Sequence, residues 1–155
     1  MAHTIIYLER SIDASHVIPD HPGKCGRLHG HTYRFEVWLS GPVAGGDGML
    51  VDFYEIKRQI DAWDHRHLND MVDFVPTAEL LAAEMQRRIL ALVSGPTDAD
   101  ADAAAADAST VGCLVRLWET AGSYAQVGFI AHDTSATGAG GMVATMTDPM
   151  ATVQA

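Results

Sequence analysis

Cys25-Gly-Arg-Leu-His29-Gly-His31 runs without a break into Thr32-Tyr-Arg-Phe-Glu-Val-Trp-Leu39. This stretch constrains the fold most, because it starts a strand with two imidazoles on one face. Residues i and i+2 of an extended chain share a face and lie roughly 6.6 Å apart. Two imidazoles so placed can converge on one metal at the ~2.1 Å of a zinc–nitrogen bond. A zinc site needs a third ligand, and His16 is the best source, since it ends an earlier strand-like run. Asp20 and His21 lie in a loop marked by Pro19, Pro22 and Gly23, either as reserve ligands or as ordinary solvated side chains.

The rest of the chain reads as a short series of elements. Residues 4–16 form the first strand, with Leu8, Arg10, Ile12, Ala14 and His16 on one face. The second strand spans about 31–40, and Gly41-Pro42 ends it. Met49-Leu-Val51 is a short return strand. Asp52 and Glu55 make a capping-box pattern for a first helix with Phe53, Ile56, Ile60 and Trp63 inward. Pro76 and Thr77, the latter as N-cap, open a second helix to about Val93, with Leu81, Met85, Ile89 and Leu92 as its core stripe. Residues 113–119 and 124–130 are the last two strands, and Cys113 reads as a buried small apolar residue. The order ββααββ predicts an α+β fold, a four-stranded antiparallel sheet with two helices on one face.

Composition narrows the function. The chain has 155 residues, 48% of them hydrophobic, which suits a single domain with a real core. That domain covers 1–130, with a low-complexity loop at 97–110 and a flexible tail at 131–155. The formal net charge of −10 argues against nucleic acid or an anionic membrane as partner. Six of the acidic residues fall in that loop and tail: Asp98, Asp100, Asp102, Asp107, Asp133 and Asp148. The remaining body is therefore nearer neutral and has room for a locally basic pocket. The N-terminus shows no secretory pattern, and two cysteines, Cys25 and Cys113, make no disulfide framework. A cytoplasmic protein with a free Cys25 is the expectation.

Five motifs follow in order: Ala14-Ser-His16, Cys25-x-x-x-His29-Gly-His31, Asp64-His65-x-x-Leu68-Asn69, Pro76-Thr77-x-Glu79 and Glu119-Thr120. Together they resemble the 6-pyruvoyltetrahydropterin synthase family of tunnelling-fold enzymes. The cysteine four residues before His-Gly-His is closer to the bacterial 6-carboxytetrahydropterin synthase branch of the queuosine pathway. The resemblance covers about residues 5–130. Ile12 and Leu80 depart from it, standing where the family usually has phenylalanine and asparagine.

The resemblance implies a tunnelling fold whose subunits join sheets into trimers and hexamers. It implies Zn2+ on His16, His29 and His31, Cys25 as general base, and Asp64 with His65 as a proton relay. Glu119, followed by Thr120, would anchor a small-molecule pterin triphosphate, and His67 would lie outside the relay. Lys24 and Arg27 flank Cys25 and either favour its thiolate or are plain surface charges. The implied reaction turns 7,8-dihydroneopterin triphosphate into 6-carboxy-5,6,7,8-tetrahydropterin, acetaldehyde and triphosphate. Three alternatives stay open: the pyruvoyl-forming elimination, a related lyase serving a 7-deazapurine natural product, and a non-catalytic zinc-binding ring protein.

Overall fold

The computed structural model describes residues 3–43, 46–94 and 111–131. The expected loop at 97–110 and nearly all of the expected tail, from residue 132, lie outside the described residues. The first two strands, β1 (His3–His16) and β2 (His29–Pro42), pair antiparallel along their whole length, from His3 opposite Pro42 to His16 opposite His29. Next come helix α1 (Phe53–Asp61), a two-residue strand β3 (Arg66–His67) and helix α2 (Ala78–Ser94). Strands β4 (Gly112–Thr120) and β5 (Ser123–Gly128) follow as an antiparallel pair. The sheet order is β3-β1-β2-β4-β5.

Among the described residues the sheet therefore has five strands, where four were expected from the alternation pattern. The additional strand, β3, pairs parallel with β1 and is too short to show any alternation. The expected return strand at 49–51 does not form. Asp47 instead accepts the Met49 backbone N–H at 3.1 Å, so the segment turns towards α1.

Both helices start as their sequences dictate. Asp52 Oδ1 caps α1 by accepting from Tyr54 N at 2.8 Å. The reciprocal half of the capping box is missing, because Glu55 turns to Arg58, with a shortest contact of 3.0 Å. Thr77 Oγ1 accepts from Leu80 N at 3.4 Å, and Thr77 O accepts from Leu81 N at 2.9 Å, at the head of α2. The core lies between the helices and one face of the sheet. Ile56, Ile60, Trp63, Leu81, Met85 and Ile89 meet Ile12, Phe35, Val37, Leu39, Val115 and Leu117 there. Phe53 falls outside this core and is 43% exposed, because it sits at the first position of α1, beyond the edge of the packed stripe. Cys113 is buried as expected, and burial pushes its thiol up to about 12.

The other sheet face is organised around Glu36. Its carboxylate accepts from Trp118 Nε1 at 2.6 Å and from Tyr7 OH at 3.1 Å, and Arg116 stands 3.5 Å away. A nearly buried carboxylate needs such partners. No helix among the described residues is long and apolar enough to cross a membrane.

Candidate active site

Strand register builds the first part of the site. The pairing of β1 with β2 puts His16 opposite His29 and Ala14 opposite His31. Gly30 permits this close approach: a Cβ there would stand 2.9 Å from the Ala14 carbonyl oxygen. The ring centroids of His16 and His29 are 4.5 Å apart, those of His29 and His31 5.0 Å, and those of His16 and His31 5.2 Å. One ring nitrogen from each lies within 4.8 Å of the other two. Among the described residues this is the one group of three or more potential ligands so arranged.

Hydrogen bonds decide which nitrogens are free. His16 Nδ1 lies 2.8 Å from Pro76 O, and His29 Nδ1 lies 2.7 Å from Arg27 O. A carbonyl oxygen only accepts, so both Nδ1 atoms carry the proton and both Nε2 atoms present lone pairs. Those two Nε2 atoms face each other at 3.0 Å. Two lone pairs at that distance repel unless a cation lies between them. His31 Nε2 is also buried and has no hydrogen-bond partner. Burial, the largest influence, holds the His16 and His31 imidazoles below their ordinary range, so both are neutral at pH 7. Neutral, carbonyl-oriented imidazoles are what a metal site requires. The three residues fit a divalent metal ion.

Asn69 and the 3-10 turn at Lys24–Gly26 support this cluster. Asn69 Oδ1 accepts from Val17 N at 2.8 Å, and its Nδ2 donates to Val17 O at 2.9 Å, which pins the residue next to His16. The turn carries Cys25, whose carbonyl accepts from Ile18 N at 2.8 Å. Cys25 is half-buried and lines a cleft of about 290 Å³ with Ile18, Thr77, Glu79, Glu119 and Tyr124. Glu119, on β4, brings Oε1 to 3.5 Å from His16 Nε2 and 3.6 Å from His31 Nε2. Thr120 holds the turn after it, with Oγ1 2.7 Å from Ser123 Oγ. His21 also lines the cleft but stands outside the histidine cluster; its Nδ1 accepts from Gly23 N at 3.0 Å.

Asp64 and His65 lie apart from Cys25. His65 has a left-handed backbone, φ 55°, that a double tether holds to β1. Its N–H donates to Asp13 O at 2.6 Å, and Asp13 N donates to Asp64 Oδ1 at 3.0 Å. Asp64 Oδ2 stands 3.0 Å from His65 Nδ1. The Asp13 N–H, and after it His65, hold the Asp64 carboxyl below the usual carboxylate range. His65 is exposed and lines a second cleft of about 550 Å³ with Asp13, Ser15, His31, Arg66 and His67. No residue lines both clefts. His67 is occupied by Ser15, 3.1 Å from Nδ1 to Oγ.

Sequence reasoning missed the carbonyls of Pro76 and Arg27, which set the imidazole tautomers. A backbone carbonyl has no residue signature, so no sequence signal could have found them. Asn69 was visible within its motif, but its task depends on a contact 52 positions away in the chain.

Comparison with known proteins identifies the family. Residues 5–128 match the family described as 6-pyruvoyl tetrahydropterin synthase. A 6-carboxy-5,6,7,8-tetrahydropterin synthase from Synechocystis is 40% identical over 89 residues, which is 51% of this chain and 69% of that protein. A dihydroneopterin monophosphate aldolase from Pyrococcus furiosus is 36% identical over 93 residues, 57% of this chain and 76% of that protein. The solved 6-pyruvoyl tetrahydropterin synthase of Caenorhabditis elegans superposes with a TM-score of 0.59 at 25% identity, covering 82% of this chain and 96% of that one. The fold is the tunnelling fold, and the chain belongs to the 6-pyruvoyl tetrahydropterin synthase family.

Proposed function

We propose that this protein is a zinc-dependent lyase that converts 7,8-dihydroneopterin triphosphate and water into 6-carboxy-5,6,7,8-tetrahydropterin, acetaldehyde and triphosphate. The product would feed queuosine or another 7-deazapurine, and the reaction would run in the cytoplasm without nucleic-acid or membrane partners. The observation that carries the reading is the lone pairs of His16 and His29 facing across 3.0 Å, beside a cleft lined by Cys25 and Glu119.

His16, His29 and His31 would hold the zinc. When bound, it supplies a Lewis acid that polarises substrate oxygen and lowers the pKa of a hydroxyl. Glu119 anchors the pterin, since two carboxylate oxygens match the adjacent N–H donors of its amino group and ring nitrogen. Thr120 keeps the Glu119 backbone in place through the turn. Cys25, in the same cleft, takes a proton from a side-chain carbon. Asp64 orients His65 through its contact with Nδ1, which suits the pair to exchange a proton with substrate.

Cys25 and His65 line separate clefts of one chain. The relay therefore needs a homo-oligomer, trimer or hexamer, in which one copy's His65 meets its neighbour's Cys25. The exposed position of His65 at the sheet edge supports that arrangement.

A second reading rests on the aldolase relative, which is named for a monophosphate substrate. One assay separates the readings. Zinc-loaded protein is incubated with 7,8-dihydroneopterin triphosphate, and in parallel with the monophosphate, and the pterin products are identified by mass. The expected outcome is the 6-carboxy product from the triphosphate. A 6-pyruvoyl product, aldol cleavage of the monophosphate alone, or no turnover overturns the proposal in favour of elimination, aldolase or a non-catalytic role respectively.

A further inference from the structure

The position of Glu119 is not explained by pterin anchoring alone. Its Oε1 is 3.5 Å from His16 Nε2 and 3.6 Å from His31 Nε2. Those separations are longer than an N–H···O hydrogen bond, whose usual range is ~2.7–3.2 Å. His16 Nε2 has no proton to offer, because Pro76 O fixes the proton on Nδ1. An oxygen lone pair thus faces a nitrogen lone pair, as His29 Nε2 does from the other side at 3.0 Å. Ligand atoms about 2.05 Å from a tetrahedral zinc are about 3.3 Å apart along each edge. The two Glu119 separations are close to that edge length. A carboxylate that faces the unprotonated His16 Nε2, and stands 3.6 Å from a His31 Nε2 that has no hydrogen-bond partner, is placed as a ligand to the same cation.

We infer that Glu119 is a displaceable fourth metal ligand as well as the pterin anchor, so that pterin binding itself opens the metal. This rests on the proposed function and deepens it. Without substrate, Glu119 joins His16, His29 and His31 and closes the coordination shell. When a pterin enters, its two N–H donors draw the carboxylate to the ring edge, and the fourth position is freed for the substrate's side-chain oxygen. Several features permit the exchange. Glu119 is about a third exposed, no hydrogen bond to its carboxylate is seen among the described residues, and it borders the cleft as well as the cluster. A closed metal polarises no other molecule, so this arrangement ties activation to the presence of the correct ring.

The test uses full-length protein loaded with cobalt(II), whose visible absorption reports coordination. Wild type, Glu119→Ala, Glu119→Gln and His29→Ala are compared, alone and with 6-methyl-7,8-dihydropterin, which has no side-chain hydroxyl to offer the metal. We expect the cobalt spectrum of Glu119→Ala to differ from wild type before any pterin is added. Its cobalt Kd should rise on the order of tenfold. The hydroxyl-free pterin should shift the wild-type spectrum towards that of Glu119→Ala. Gln, an isosteric and weaker ligand, serves as the variant least open to folding defects and should lie between the two. Superimposable pterin-free spectra and equal metal affinities for wild type and both Glu119 variants overturn the inference and leave the proposed function standing. Unchanged cobalt binding in His29→Ala overturns both, because the three-histidine site would then not exist.

Discussion

Asn69 holds both polar groups of the Val17 backbone, accepting its N–H at 2.8 Å and donating to its C=O at 2.9 Å. A side-chain amide here does what a paired strand does elsewhere, at the point where β1 ends. His16, one residue earlier, owes its position to this clamp and to Pro76 O. Asn69→Ala removes both bonds and should destabilise the fold by about 1–3 kcal/mol, since each such bond contributes about 1 kcal/mol net. Metal affinity should fall with it. Chemical denaturation and metal titration check this, and an Asn69→Ala protein equal to wild type in both removes the clamp from the argument.

Purified protein should carry about one zinc per chain, and His29→Ala or His31→Ala should lose most of it. Three ligands are the usual protein complement of a catalytic zinc, so removing one leaves too weak a site. Metal analysis after dialysis reads the result; full occupancy in both variants would place the metal elsewhere.

Cys25→Ala should retain the metal, because Cys25 lies outside the histidine cluster. Turnover should drop by ~10²–10⁴-fold, the usual contribution of a general acid–base group. A rate within threefold of wild type would rule out the proton-transfer role.

Gly30→Ala should break the site without touching a ligand. The added methyl would meet the Ala14 carbonyl oxygen at 2.9 Å, a backbone atom with no freedom to yield. β1 and β2 must then separate where His16 and His29 converge. Thermal unfolding should shift downwards and zinc content should fall; retention of both would show that the strands absorb the methyl.

Acid stability should have an identifiable component from Glu84. Its hydrogen bond to Arg87, and then that to Arg88, hold the carboxyl down at about 2. The unfolded chain titrates this group near the usual ~4.3. Between those values the unfolded state binds more protons, so this stabilisation is whole above the unfolded value and fades as pH falls towards the folded one. Arg87 is largely exposed, so the contribution is screened to about 1 kcal/mol or less. Glu84→Gln should flatten the pH dependence of stability across that window, and an unchanged acid limb would refute the pairing's role.

Much of the fold was legible because it depends on neighbouring residues. Alternation marked β1, β2, β4 and β5, and apolar spacing marked both helices. Caps at Asp52 and Thr77 located their starts. The histidine cluster was legible in part for the same reason: His29 and His31 share a strand face by simple period. The errors were also local. Met49-Leu-Val51 has strand-like residues but turns, since Asp47 ties its backbone, and Phe53 continues a stripe that the helix end leaves outside the core.

By itself, then, the sequence determined which segments are extended, which are helical, and that two imidazoles share a face. Tertiary structure alone decided how these join. The register of β1 against β2 delivers His16 to His29, and the carbonyl of Pro76, 60 positions along, selects its tautomer. The Asp13 tether carries His65 into a cleft away from Cys25. Pairing of β2 with β4 brings the strand end carrying Glu119 alongside the histidines. The physical reason is the range of the forces involved. Backbone period acts over a few residues, whereas pairing, burial and hydrogen bonds between distant segments exist only once the chain has folded.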